Sequence, residues 1–474
     1  MTLRTFLLGA ASAITLSSCA ATPGGVAPFE PTVSAQGAFM GARPGVAVGT
    51  PLPADWWRLY DDPVLDGLIE DALHANTDVR QAVARIDRAR AALRGARADR
   101  TPQTSLNASS GYGRAPQGQA GTDSNGALFG IGAQVTYELD LFGRLSGNVA
   151  AAQGDLAATQ ADADAVRVMV VADTTQAYAA AASSAARIAN ARSIVALLDE
   201  TLRLVLKRHD AGLADGLAVA RIEGLREQRA AQIPAIEAQR SAALFALAAL
   251  TGRTPSQLPA IVGNRAIPLE IISALPIGDG AQLLSRRPDV RAAEQRLAAS
   301  TARIGVARAD LYPRIVLGAS ASSNAGHLGD LFSGGPLGFL LGPLVSWAFP
   351  NREPVRARID AAGADVAGAL AAFDGIMLGA LQDTETALSD YARSLEQRQA
   401  LMAAHAAALR AANITRAQNR EGVVDSLQTL ESERTLAEAQ AALADQDAQV
   451  SRQQIAVFRA LGGGWQAERT KAAK

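Results

Sequence analysis

The chain has 474 residues, 49% of them hydrophobic, with 45 Lys and Arg against 46 Asp and Glu. Balanced charge excludes bulk nucleic-acid binding, which needs a basic excess. The single cysteine excludes an intramolecular disulfide and a cysteine-built metal site.

The N-terminus reads "MTLRTFLLGAASAITLSSCA". Arg4 is its one positive charge, and an apolar core runs from Phe6 to Leu16. This is the layout of a secretory signal peptide, residues 1–18, too short to span a bilayer. Leu16, Ser17, Ser18 and Cys19 resemble a bacterial lipobox. In such signals the cysteine thiol is acylated and the chain is cut just before it. Cys19 is therefore expected to carry a covalent lipid, palmitate for instance, and no other cofactor is expected. Ala20 follows where an aspartate would, by analogy with known lipoproteins, mark inner-membrane retention; the outer membrane is favoured. Residues 20–53 are rich in Pro, Gly and Ala, so 19–55 reads as a lipid-anchored linker. Further on, no apolar stretch is expected to cross a membrane as a helix, which leaves β-strands as the only means.

From about residue 56 the chain looks duplicated, as 56–265 and 266–474. "GARAD" at 95–99 returns as "VARAD" at 306–310, each soon followed by a proline, Pro102 and Pro313. "AGLADGLAVARIE" at 211–223 matches "EGVVDSLQTLESE" at 421–433, so that Gly212 meets Gly422, Asp215 meets Asp425 and Leu217 meets Leu427. "ALTG" at 249–252 recurs as "ALGG" at 460–463. The spacing is too long for a solenoid and points to two domain-sized copies.

Each copy predicts one helix, two strands, a very long helix, a break and another long helix. The first helices are placed at 63–99 and 280–310, the hairpins at 103–142 and 314–349, and the long helices at 144–252 and 355–462, before a C-terminal tail. No proline interrupts 117–233 or any residue after 354. Unbroken runs such as 144–210 would each reach roughly 100 Å at about 1.5 Å per residue. Ile188, Val195, Leu198, Leu202 and Val205 alternate three- and four-residue steps, and Leu388, Leu395, Met402 and Leu409 recur every seven, as in coiled coils.

In 129–144, Phe129, Ile131, Ala133, Val135, Tyr137, Leu139 and Leu141 fall in one phase, and Gly130, Gly132, Gln134, Thr136, Glu138 and Asp140 in the other. Segment 103–114 alternates more weakly, with Leu106, Ala108 and Tyr112 in phase, while 314–323 puts Ile315, Leu317, Ala319 and Ala321 on one face and 339–349 follows with Phe339, Leu341, Val345, Trp347 and Phe349. Four such strands cannot close a barrel, and open edges in hydrocarbon cost several kcal/mol per unpaired group. Lipid-facing strands therefore require an oligomer; strand number alone leaves two copies or three open.

The lipobox, the duplicated plan, "RRPDVRAAEQRLAASTARIGVARADLYPRI" at 286–315 and the "ELDLFGR" corner at 138–144 together resemble the outer-membrane efflux lipoproteins of the TolC-like superfamily, NodT branch. The resemblance implies a mixed α and β membrane protein: a homotrimer forming a twelve-stranded outer-membrane β-barrel, four strands per chain, continued by a long periplasmic α-helical barrel. It implies the passive exit duct of a tripartite pump for drugs, toxic compounds or metals. The partners would be a periplasmic adaptor and an inner-membrane resistance-nodulation-division transporter. It also places the periplasmic tip and gate at Gly212, Asp215, Leu217, Gly422, Asp425 and Leu427. Asp425 takes the place of a family gate aspartate, whereas Gln428 stands where a second acidic residue often occurs. Arg416, Arg420, Glu421 and Glu431 lie close by, as candidates for gate ion pairs between subunits.

Simpler roles compete for some of these residues. An aspartate before a helix is a common N-cap, which suits Asp215 and Asp425. His74, His209, His327 and His405 are scattered and read as structural rather than metal ligands. Trp56 and Trp57 read as packing residues. No phosphate loop, Cys–His pair or HExxH spacing is present, so no enzyme is expected. The other functions open to such a chain are a duct for protein secretion and a non-conducting periplasmic coiled-coil scaffold.

Overall fold

The structure is a computed structural model that describes residues 39–43, 45–113, 125–212, 215–333, 337–424 and 426–464. The signal peptide, Cys19, most of the linker, Asp425 and the C-terminal tail lie outside the described residues. The chain divides into two compact units: Arg85–Gln160 with Ala292–Asp374, and Val33–Ala84 with Ala161–Arg291 and Gly375–Lys474.

In the first unit a four-stranded antiparallel sheet is built from β2 (Gln103–Gly113), β3 (Gly126–Glu138), β5 (Arg314–Ala325) and β6 (Leu337–Ser346), in the order β2-β3-β5-β6. Strands of 11, 13, 12 and 10 residues are long enough to cross a hydrocarbon layer. The register puts Leu106 opposite Ala133 and Ala108 opposite Ile131. It then pairs Ala133 with Ala321 and Val135 with Ala319, and these with Phe339 and Leu341. Because side chains alternate, all of these lie on one face. The other face carries Ser105, Asn107, Gly130, Gly132, Gln134, Ser320, Ser322 and Gly342 in the same pairing, interrupted on β6 by Leu340 and Leu344. The apolar face is uncovered: Leu106 is 75% exposed, Phe339 84% and Leu341 79%.

β3 stops at Glu138 rather than running to 142 or 144, as the alternation predicts. The cause is the corner that follows. The Asp140 carboxylate accepts the N–H groups of Leu145 (2.9 Å) and Ser146 (2.8 Å), which caps helix α3 (Arg144–Asp210). Gly143 at φ +76° makes the turn, and Arg144 forks back onto Glu138 at 2.8 and 2.6 Å. Burial raises the Asp140 pKa, but the Ser146 hydroxyl, the two backbone N–H groups and the Arg100 charge outweigh it, so the net shift is downward.

The second unit is organised around Trp56 and Phe458, whose rings stack at 4.6 Å. Trp56 is fully buried, among Leu65, Ile69, Val171, Leu247, Leu269, Leu275 and Ile455. The segment before it is strapped down: Met40 and Gly41 donate their N–H groups to Glu385 at 2.9 and 2.6 Å, and Arg43 pairs with Glu396. Short β1 (Ala47–Val48) and β4 (Leu275–Pro276) run parallel beside it.

Both first helices are split, where the sequence predicts one continuous helix each. α1 (Pro63–Ala75) yields to α2 (Thr77–Ala98) at Asn76, and α6 (Gly280–Arg286) to α7 (Pro288–Ala309) at Arg287. Asn76 stops one helix and caps the next, its Oδ1 accepting from Asp78 and Val79. Arg287 precedes Pro288, which excludes the helical backbone there. The two side chains do the same second job. Asn76 donates to the Leu250 carbonyl at 3.1 Å and Arg287 to the Ala460 carbonyl at 2.8 Å. Those carbonyls end α5 (Ile233–Leu250) and α9 (Ser426–Ala460), at the two Ala-Leu-x-Gly stretches, where Gly252 and Gly462 sit at φ +66° and +67°.

The predicted long helix 216–252 is also broken, into α4 (Gly216–Ala230) and α5. Pro234, the second residue of α5, has no N–H to give the preceding turn. α9 has no such proline and runs 35 residues unbroken. α3 and α8 (Glu353–Arg420) are continuous over 67 and 68 residues, as expected. The expectation that no helix could cross a membrane needs correction. By length and composition, stretches within Gly216–Leu250 and Glu353–Arg420 qualify among the described residues. Both owe this to alanine runs, in which a strong helix former also lets neighbouring helices approach closely.

Candidate functional site

The region expected to form the tip is where α3 passes to α4 and α8 to α9, all within the second unit. Gly212 at φ +73° and Gly422 at φ +74° end the two long helices, a left-handed conformation that other residues adopt only with strain. After α8 the Val423 N–H donates to the Gln418 carbonyl at 2.8 Å and the Gly422 N–H to the Asn419 carbonyl at 3.2 Å, the two bonds of a Schellman cap. Lys207, Arg208 and His209 sit in the last turn of α3, where the helix dipole favours positive charge.

Asp215 caps α4, its carboxylate accepting the Ala218 N–H at 2.9 Å. Leu217 is 54% exposed and Leu427 51%, so two apolar side chains face outward beside the breaks. Arg420 is exposed, and among the described residues its guanidinium reaches the Arg416 carbonyl, at 3.4 Å.

Arg416, expected among residues free to pair with another subunit, is already engaged within the chain. Its guanidinium forks onto Glu433, with one arm at 2.7 Å, and a third bond reaches the Asn413 side chain at 3.0 Å. Only 2% of the Glu433 side chain is exposed. Glu431 pairs with Arg434 at 2.6 Å, which holds its carboxyl below the ordinary range. Arg208 of α3 ties to Asn419 of α8 through the Asn419 side chain at 2.9 Å and its carbonyl at 3.3 Å. Arg208, Arg416, Asn419 and Glu433 border a cleft of about 570 Å³ that also takes in Glu200, Arg203, Lys207, Ile222 and Arg420.

Sequence reasoning missed Glu433 as the partner of Arg416. Its position held the signal: Thr429, Glu433, Leu436 and Ala437 are buried at the i, i+4, i+7, i+8 spacing of a helix seam. A carboxylate in a seam needs a cation, and Arg416 is the one that reaches it. The Arg208–Asn419 tie had no counterpart in any local pattern.

Among known proteins, the model of the outer membrane efflux protein family matches residues 68–253 and again 280–463. The chain belongs to that family. It is an outer-membrane efflux channel, one of a family of channel proteins, and its location is the outer membrane. It is similar to outer membrane protein OprJ of Pseudomonas aeruginosa, 31% identical over 96% of this chain and 94% of that one. It is 32% identical to the pyoverdine export outer membrane protein OpmQ of Pseudomonas aeruginosa, over 96% of each. Among solved structures, the outer-membrane channel OprN is 34% identical with a TM-score of 0.84, over 93% of this chain and 99% of that one. The open state of the Neisseria gonorrhoeae MtrE channel is 27% identical with a TM-score of 0.78, over 92% and 97%.

Removing Arg416 would leave the Glu433 carboxylate buried without its cation. Arg416→Ala should cost about 1–3 kcal/mol, read as a lowered denaturation midpoint, and adding Glu433→Gln should restore part of the loss. Equal midpoints for wild type and Arg416→Ala would show that the pair does not hold α8 to α9.

Proposed function

We propose that three copies of this chain assemble into a twelve-stranded barrel and a helical conduit, forming the passive exit duct of a tripartite efflux pump. The observation that carries this reading is the sheet. Its more apolar face is uncovered and its strands are of membrane length, but among the described residues its two edge strands, β2 and β6, have no outer neighbour. Only further copies can pair those edges in hydrocarbon. Twelve strands leave room for a lumen, whereas eight would be filled by side chains. The small and polar residues of the opposite face would then line the duct.

The element order helix, helix, strand, strand, long helix, break, helical return occurs twice, which supports an origin by duplication. Two glycine-capped breaks per chain would give six helical turns in the trimer, a ring suited to a periplasmic adaptor that links the duct to an inner-membrane resistance-nodulation-division transporter. The relatives' names speak of solvents, toluene, antibiotics and pyoverdine. A duct with a polar, glycine-rich wall suits small molecules of that range, with selection left to the transporter. Gly212, Asp215, Leu217, Arg416, Arg420, Gly422, Asp425 and Leu427 form the tip, and Asp425 contributes to the resting gate. Exposed ion pairs contribute only about 0–1 kcal/mol each, so a latch of this kind yields to adaptor contacts. Cys19 carries the covalent lipid.

Single-channel recording in planar bilayers tests the duct and its gate together. Wild type should give small resting currents and Asp425→Ala larger ones. Silence from both would reject a duct, and equal currents would remove Asp425 from the gate. For the anchor, cells fed labelled palmitate should label the wild-type chain and not Cys19→Ser; label on both would place the lipid elsewhere.

A further inference from the structure

Where the strands give way to helices, the sheet carries an aromatic and cationic cluster that neither the duct nor the gate uses. After β6 the chain continues into Trp347 and Phe349, whose rings stack at 4.9 Å. Phe142, past the end of β3, stacks on Tyr312, just before β5, at 4.5 Å. The Trp347 indole N–H donates to the Leu311 carbonyl at 3.1 Å, which fixes the ring at this level. All four rings remain exposed, Phe349 to 65%. They border the apolar face that runs through Val345, Leu341 and Phe339. Tryptophan and tyrosine in this position suit the boundary between hydrocarbon and headgroups.

Arg314 and Arg358 share one carboxylate, Asp310, at 3.0 and 3.2 Å. The Arg352 guanidinium lies 5.4 Å from the centre of the Trp347 ring. Among the described residues it forms no ion pair, and its Nε, shielded from water, has no hydrogen-bond partner. A guanidinium with one face on an indole and its N–H groups unspent is shaped for a two-pronged acceptor such as a phosphate.

We propose that Arg352 and Trp347 form a headgroup site for an anionic glycerophospholipid in the leaflet next to the helices. The phosphate diester lies on the Arg352 guanidinium, and the acyl chains run along Phe339, Leu341 and Val345. The exposed apolar face continuing from the cation favours a lipid over a soluble anion: it offers a surface for the chains as well as the charge. The site rests on the outer-membrane reading given above.

The test uses the full-length protein in phosphatidylcholine vesicles with and without phosphatidylglycerol, followed by native mass spectrometry of the lipids it retains. Wild type should retain phosphatidylglycerol in preference to phosphatidylcholine. Arg352→Ala should lose that preference roughly fivefold, the value of one cation at a membrane surface, and Arg352→Lys, which keeps the charge but not the fork, should keep only part of it. A matching melting curve for Arg352→Ala would show that the fold is intact. An unchanged preference in Arg352→Ala would overturn the site. Displacement of phosphatidylglycerol by inorganic phosphate would overturn the lipid as its occupant. A wild type that enters both vesicles and shows no preference would sink the site alone; one that enters neither would sink the membrane reading with it.

Discussion

Every strand in hydrocarbon must pair its backbone N–H and C=O groups on both sides, and β2 and β6 each have one side open. Much of the architecture follows from that shortage. The alternation of β2, β3 and β5 produces one apolar and one largely small and polar face, and the register keeps those faces in phase across all four strands, although β6 places Leu340 and Leu344 on the second face. Such a sheet is stable in neither water nor lipid alone. Water would meet Phe339 and Leu341; lipid would meet unpaired edges. The proposed closure with other copies would remove both problems, since the apolar face would turn to the membrane and the edges would pair with each other.

The helical part obeys a different economy. Its termini are secured individually, by glycine in left-handed geometry and by a polar side chain on a neighbouring carbonyl. Asn76 and Arg287 show that the requirement is a donor at that place rather than a particular residue: a short amide and a long guanidinium satisfy the same kind of carbonyl. The breaks after α3 and α8 are tied more lightly. Arg208 to Asn419 and Arg416 to Glu433 hold adjacent helices, whereas Leu217, Leu427 and Arg420 face outward. A region with few buried contacts and several solvated ones is where a structure opens at low cost.

Much of this was legible in the sequence. The four strands, the two unbroken long helices and the glycine breaks follow from alternation, from the absence of proline and from the paired Gly212 and Gly422. What escaped was decided by single residues acting at a distance. Asn76 splits a helix because its side chain is wanted by α5, and a window on 63–99 shows only helix-compatible residues. Pro288 and Pro234 mark the other two breaks, where a proline limits the backbone before it or withholds an N–H. Strand β3 ended early because Asp140 is used as a cap, although the alternation continues through Leu141. At the tip, the glycine positions and the Asp215 cap were readable. The seam spacing marked Glu433 as a carboxylate in want of a cation, but that the cation is Arg416 was not readable, because the pair joins positions on opposite sides of a helix break.

The account turns on open sheet edges being closed by other copies of the same chain. Native mass spectrometry of the full-length protein, released from detergent micelles, measures that directly. The account predicts a single assembly of three chains that survives gentle removal of the detergent. A stable, folded monomer with the strands intact would contradict it.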